Sequence, residues 1–159
     1  MRIRQATSDD VEGVRSISVA SGRDAWSAKM LSTTPKRLVV VAEVAGELVG
    51  VAKTHFHAYP DGAAPAGHYL GGVMVKPSHR RQGVASVLTS ARLGWIWSQA
   101  SHAYYFANEH NAASIRLHEA FGFHALGNFS AIHGVIADDG QSDLILFAVS
   151  SRGSSTGVK

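Results

Sequence analysis

The stretch Val73-Met74-Val75-Lys76-Pro77-Ser78-His79-Arg80-Arg81-Gln82-Gly83-Val84-Ala85-Ser86 decides the reading of this chain. An alternating apolar run stops at Pro77, passes a short basic loop, and enters a helical pattern through Gly83. Val84, Val87, Leu88, Ala91 and Trp95 then recur at the i, i+3, i+4, i+7, i+11 spacing of one buried helix face. A strand, a loop and a helix in this order present consecutive backbone N–H groups at the positive end of a helix macrodipole, here flanked by Arg80 and Arg81. Such a junction is an anion site of the phosphate-binding kind. At Gly83 a side chain would hold a pyrophosphate away from those amides. The alternative is a basic strand–helix turn that binds nothing. Two other phosphate loops fail on spacing, because neither a P-loop nor a three-glycine dinucleotide fingerprint is present.

A second motif lies downstream at Asn111-Ala112-Ala113-Ser114-Ile115-Arg116-Leu117-His118-Glu119-Ala120-Phe121-Gly122-Phe123. It reads as a short helix with Asn108 or Asn111 as N-cap, an apolar face through Ala113, Leu117 and Phe121, and Gly122 as its stop. On its own this is equally an ordinary capped helix packing on a sheet. Taken with Arg80-x-x-Gly83-x-Ala85 after Val73-x-Val75-x-Pro77, however, it resembles the two motifs of the GNAT superfamily of N-acetyltransferases. The resemblance covers roughly residues 1 to 149. The run Asn-Ala-Ala-Ser-Ile-Arg-Leu-His-Glu is also similar to the phosphinothricin-type amino-acid acetyltransferases.

Composition agrees with one such domain over 1–149, followed by a Ser/Gly-rich tail at 150–159 expected to be mobile. The 159 residues are 45% hydrophobic, enough for one large core. No apolar run spans a bilayer and no secretion signal leads the chain, so neither membrane nor export is expected. Cysteine is absent, which removes disulfides and a thiolate nucleophile and fits a cytoplasmic setting. Net charge is +3 with nine histidines. The basic residues are scattered, which suits an anionic cofactor and speaks against nucleic acid.

The coarse order of elements begins with a strand from Arg2 to Ala6 and a helix carrying Val11, Val14 and Ile17, capped from Thr7, Ser8 and Asp9. A second short helix is expected over Arg23–Met30. Arg37–Val44 and Glu47–Tyr59 read as a hairpin about Ala45-Gly46, followed by a Pro60–Gly67 loop and a strand from His68 to Lys76. After the long helix come a strand at His102–Ala107, the second motif, and a hairpin of Asn128–Ala137 with Asp143–Val149 about Asp138-Asp139-Gly140. This order implies an α/β fold with a mixed sheet flanked by helices. It is also what the GNAT resemblance implies, with a central twisted sheet.

The resemblance further implies acetyl-CoA as acyl donor. Its pyrophosphate would sit on the amides from Arg81 through Gln82, Gly83, Val84 and Ala85 to Ser86, with Arg80 alongside. Its pantetheine arm would pair with the backbone of Val73, Met74 and Val75 and hydrogen-bond Asn111. Phosphates held by backbone amides need no metal, and none is expected. His55 and His57 share one strand face and are a conceivable zinc pair; the other reading is two solvent-facing histidines. Transfer to an amine of pKa about 10 requires removal of a proton near neutral pH. The family often places a Glu for this on the fourth strand, yet Gly67-His68-Tyr69-Leu70-Gly71-Gly72 holds no carboxylate. Tyr69 falls near that slot, either to order a proton-carrying water or to shape the pocket. His118 stands where many members carry the Tyr that protonates the departing thiolate, and can do the same near its pKa of about 6.5; otherwise it is packing.

Three functions follow as expectations. The first is an N-acetyltransferase using acetyl-CoA on the primary amine of a small molecule or amino acid, in a ternary complex. The second is acetylation of a protein N-terminus or lysine. The third, suggested by the missing carboxylate, is a non-catalytic acyl-CoA-binding module. A homodimer is left open.

Overall fold

Val39, Val40, Val41 and Ala42 are all buried, because helices cover the strand they form on both of its faces. The computed structural model describes residues 1–152. Its elements are β1 (Arg2–Gln5), α1 (Val11–Ala20), β2 (Val39–Val44), β3 (Glu47–His57), β4 (Gly67–Val75), α2 (Val84–Trp97), β5 (His102–Asn108), α3 (Ala112–Glu119), β6 (His124–Phe129) and β7 (Leu144–Ser150). With both antiparallel and parallel pairings, the class is the expected α/β mixed sheet. Two compact units are built from interleaved segments, Met1–His55 with Gly71–Trp95, and Phe56–Leu70 with the chain from Ile96.

In the first unit β1 pairs antiparallel with β2 from Arg2↔Glu43 to Gln5↔Val40, and β2 with β3 from Val39↔Lys53 to Val44↔Glu47. The strand order is β1-β2-β3-β4. The period of two sends Val39, Val41, Val51 and Met74 to the face covered by Val14 and Ile17 of α1. Val40, Ala42 and Ala52 go to the face covered by Val84 and Leu88 of α2, and Val49 joins them because the β2–β3 register shifts between Ala42 and Glu43. Arg4 bridges Asp10 at 2.7 Å and Glu43 at 2.5 Å, tying β1 to the turn before α1 and to β2. The Asp10 carboxyl is held below its usual range chiefly by that hydrogen bond from Arg4.

In the second unit β5 pairs antiparallel with β7 from His102↔Ser150 to Asn108↔Leu144, and β6 with β7 from His124↔Ala148 to Phe129↔Leu144. The order is β4-β5-β7-β6, with β4 parallel to β5 at Tyr69↔Tyr104. Tyr69, Ile132, Leu144 and Leu146 share its core.

Two expected elements need correction. Arg23–Met30 is not a helix; only a 3₁₀ turn forms at Ala28–Leu31, because the chain turns at Gly22 (φ +65°) and Ser27 caps the backbone N–H of Met30. The last hairpin runs through His124–Phe129, not Asn128–Ala137. Ile132 is buried by a tight turn instead, in which Ile132 and Val135 exchange backbone hydrogen bonds around His133 (φ +48°) and Gly134 (φ +81°). Ser150 closes β7, and the tail expected at 150–159 lies beyond Arg152 outside the described residues.

The apolar face expected on α2 holds at Val84 and Leu88, but it turns onward through Thr89, Arg92, Leu93 and Ile96. Arg92 is wholly buried. Its guanidinium donates to the carbonyls of Lys53 and Gly71, both at 3.2 Å, and to the Thr89 hydroxyl at 3.1 Å. It thereby fastens α2 to β3 and β4 where they pass each other. Arg92→Leu keeps apolar volume but removes the donors from two buried carbonyls, so a loss of about 3 kcal/mol is expected. Urea unfolding should show a lower midpoint at unchanged slope, and an unmoved midpoint would contradict this role.

Candidate active site

The sequence forces a change of direction at the end of β4. Pro77 ends the ladder, a 3₁₀ turn forms at Pro77–His79, and the chain reverses through Arg81 (φ +61°) and Gly83 (φ +82°) before α2 begins at Val84. Left-handed backbone at a non-glycine such as Arg81 costs energy and clusters at ligand sites. The first bond of the α2 ladder is Val87 N–H to Gly83 C=O at 3.1 Å. The amides of Val84, Ala85 and Ser86 therefore precede the ladder, at the helix end that attracts anions. Arg80, Arg81, Gln82 and Gly83 are exposed.

Side chains brace this loop from inside. Arg80 Nε donates to the Val75 carbonyl at 3.2 Å, and Gln82 Nε2 to the Ser78 carbonyl at 3.3 Å. Lys76 pairs with Glu47, whose carboxyl is held low chiefly by that hydrogen bond. Among the described residues neither Arg80 nor Arg81 pairs with a carboxylate, so the loop keeps two positive charges. Met74 is buried toward α1, while Val73 and Val75 are half-buried against the α2 side. The residues expected to hold pyrophosphate and pantetheine in this unit are thus contiguous, from Val73 to Ser86.

In the second unit Tyr69 is buried, and its hydroxyl donates to the Pro65 carbonyl at 2.7 Å. Burial, with Tyr104 and Asp61 adding to it, pushes its pKa far above the usual tyrosine value. Tyr69 therefore does not titrate near neutral pH. His133 Nε2 lies 3.1 Å from the Pro65 carbonyl and 3.2 Å from the Tyr69 hydroxyl, which places the ring proton on Nε2. The His133 backbone N–H donates to Asp61 at 2.8 Å. The His57 ring stacks on His133 at 3.8 Å and stands edge-on to Tyr69 at 5.1 Å. Burial, then the neighbouring His133, push the His57 imidazole below its ordinary value.

The sequence missed this imidazole pair. His57 gave a signal only through its i+2 relation to His55, and His133 lies in a distant turn with no local pattern. Among the described residues no group of three or more His, Cys, Asp or Glu is gathered around a metal-sized space.

Asn111 caps α3 by accepting from the Ser114 N–H at 3.3 Å, which settles the choice between Asn108 and Asn111. Asn108 instead donates to Asp138 and Asp139 in the loop before β7. The buried face of α3 is not Ala113–Leu117–Phe121, since Ala113 is exposed and the ring buried beside Phe121 is His118. Its imidazole stacks on Tyr105 with centroids 3.4 Å apart, and Nδ1 lies 2.8 Å from the Ser114 carbonyl. Because that carbonyl can only accept, Nδ1 carries a proton. Tyr105 in turn hydrogen-bonds the Ser114 hydroxyl. Asn111, Tyr69 and His118 thus lie in the second unit, and Val73–Ser86 in the first.

Residues 7–123 match the model of the acetyltransferase (GNAT) family. Solved structures with the same fold include the ribosomal-protein-S18-alanine N-acetyltransferase from Escherichia coli, at 20% identity and TM-score 0.72, with 94% of this chain and 92% of that one covered. A Salmonella typhimurium structure with its cofactor acetyl-CoA matches at 21% identity and TM-score 0.68, covering 94% and 93%. A candidate phosphinothricin N-acetyltransferase matches at 21% and 0.68, covering 94% and 97%. No curated protein sequence matches the chain.

Proposed function

The chain belongs to the acetyltransferase (GNAT) family, and on that premise we propose that it moves an acetyl group from acetyl-CoA to the primary amine of a small molecule or amino acid. The amine nitrogen attacks the thioester carbonyl carbon directly. The C–S bond breaks, the nitrogen gives up a proton, and the CoA sulfur takes one. The observation that carries this reading is the β4–α2 junction, whose Arg81 and Gly83 turn left-handed to bring the Val84–Ser86 amides and two arginines to one end of a helix. That junction suits a pyrophosphate, with Val73, Met74 and Val75 offering strand backbone to the pantetheine arm.

Two roles follow for the aromatic cluster. Tyr69 keeps its proton and positions the Pro65 carbonyl and His133, so it is a positioning residue. His57, kept neutral by burial, takes the ammonium proton that no carboxylate of β4 is present to take. Tyr69→Phe should leave kcat within a few-fold of the parent. His57→Gln should lower it by roughly 10²-fold, the low end of general base catalysis, and flatten the acidic limb of the pH–rate profile. An unchanged acidic limb in His57→Gln would remove His57 from the proton path.

The overall proposal is tested by free-thiol release from acetyl-CoA with a panel of small amines, amino acids and peptides. Turnover with none of them, alongside tight acetyl-CoA binding, would leave the acyl-CoA-binding module instead. Turnover confined to peptides would move the acceptor to proteins. Among the described residues no helix is long and apolar enough to cross a membrane.

A further inference from the structure

Lys53 follows Val51 on β3 onto the face covered by α1, where a cation has no ordinary reason to be. The residue is 8% exposed. Its ammonium lies 4.2 Å from the centre of the Trp26 ring, and no hydrogen bond or ion pair of that ammonium is present among the described residues. A second cation, Arg37, is near enough to push the Lys53 pKa down further, after burial has already lowered it. Among the described residues the Arg37 guanidinium donates only to the carbonyls of Ser32 and Lys29. Among the described residues no carboxylate pairs with either Lys53 or Arg37. Stacking on an aromatic face returns only part of the cost of desolvating an ammonium.

The adjoining strand brings backbone without a side chain up to this pair. Gly72 of β4 is exposed, and a Cβ there would meet Trp26 Cζ2 at 3.1 Å and Lys53 Cε at 3.9 Å. A side chain at position 72 would crowd the indole, so glycine is what lets β4 pass this close to Trp26 and the lysine stem. Position also assigns the ligand. The loop at Arg81–Ser86 follows the C-terminal end of β4, so a pantetheine arm running back along Val75, Met74 and Val73 points its thioester toward Gly72.

We propose that Lys53, with Trp26 and Arg37, is the subsite for a carboxylate on the acceptor, so that the enzyme acetylates amines carrying an acid group. This rests on the acetyl-transfer reading above and narrows its substrate class to amino acids and related amino acids of other chain length. The donor's phosphates are the other source of an anion, and they are separated from the acceptor by measuring acetyl-CoA affinity.

The test compares parent, Lys53→Met and Lys53→Arg on amino acids and on their carboxamides. Met keeps an unbranched stem against Trp26 without the charge; Arg keeps the charge. The parent should prefer acids over amides by at least 30-fold in kcat/KM. Lys53→Met should erase that preference through KM for the acid, with kcat, amide turnover and acetyl-CoA Kd within about two-fold of the parent, and Lys53→Arg should restore part of it. Equal loss on acid and amide, a loss confined to kcat, a weakened acetyl-CoA Kd, or a parent without preference overturns the subsite. Calorimetry with N-acetyl amino acids against N-acetyl amino amides reads the same subsite without turnover. If acids bind and Lys53→Met abolishes binding while no amine is acetylated, the transfer reading fails and the subsite stands. If amines are acetylated and acids bind no better than amides, the subsite fails alone. Should Lys53→Met not fold, Lys53→Gln takes its place.

Discussion

Gly83→Asp is expected to weaken acetyl-CoA binding by about 100-fold while leaving the unliganded protein as stable as the parent. The two halves of that expectation oppose each other, which makes the variant informative. A Cβ at Gly83 meets nothing within 4 Å, so no clash arises, and the cost in the free protein is confined to the φ of +82°. Asp is one of the few residues that tolerate this region, and a carboxylate at a helix N-terminus is favourable by roughly 0.3–1 kcal/mol. Against a bound pyrophosphate the same carboxylate is a like charge. At 4 Å and an effective dielectric constant of about 20 that repulsion is about 4 kcal/mol, and solvent exposure reduces it to the ~2.7 kcal/mol of a 100-fold effect. Gly83→Asn separates charge from shape, since it has the same size and the same tolerance of left-handed backbone; it should lose ten-fold or less. Raising the salt concentration should narrow the gap between Asp and Asn. Calorimetric titration of the three proteins, with and without chelator, measures all of this. Undiminished affinity in Gly83→Asp would remove the anion from this loop.

The junction was legible because everything that builds it is local. Pro77 stops a strand, Gly83 permits a positive φ, and Val84 and Leu88 recur at helix spacing within a dozen residues. The strands from Arg2 to Val75 were legible for the same reason, through alternation and the Ala45-Gly46 turn. What escaped is fixed by contacts distant in sequence. Arg92 reads as the polar edge of α2, yet it is the residue that satisfies carbonyls of two strands. His133 lies 76 positions beyond the His57 ring on which it stacks (133 − 57). Ile132 advertised a strand and is buried by a turn. The face of α3 was displaced by one position because Ala113 looked apolar enough to be inside. The hydrogen bond between Tyr105 and Ser114 and the stack on His118 decided otherwise. Amphipathic periodicity counts methyl groups; it does not count a buried imidazole that an aromatic partner and a carbonyl can satisfy.

That imidazole carries the other large expected effect. If His118 protonates the departing thiolate, its removal should lower kcat by roughly 10²- to 10⁴-fold. His118→Ala is a poor probe alone, because a buried ring stacked on Tyr105 is lost with the proton donor, and truncating a large buried side chain costs about 3 kcal/mol. His118→Phe keeps a flat ring against Tyr105 and against Phe123, 5.5 Å away, and removes only the nitrogens. It should fold, lose the hydrogen bond to Ser114, bind acetyl-CoA within a few-fold of the parent, and show the full fall in kcat. His118→Tyr supplies a hydroxyl where many relatives of this family carry one and should recover at least ten-fold of the rate lost in Phe. A structural histidine predicts the opposite pattern, in which Phe and Tyr both restore thermal stability and neither moves kcat. Parent-like kcat in folded His118→Phe, with chemistry shown to limit the rate, would return His118 to the core and pass the thiolate's proton to solvent.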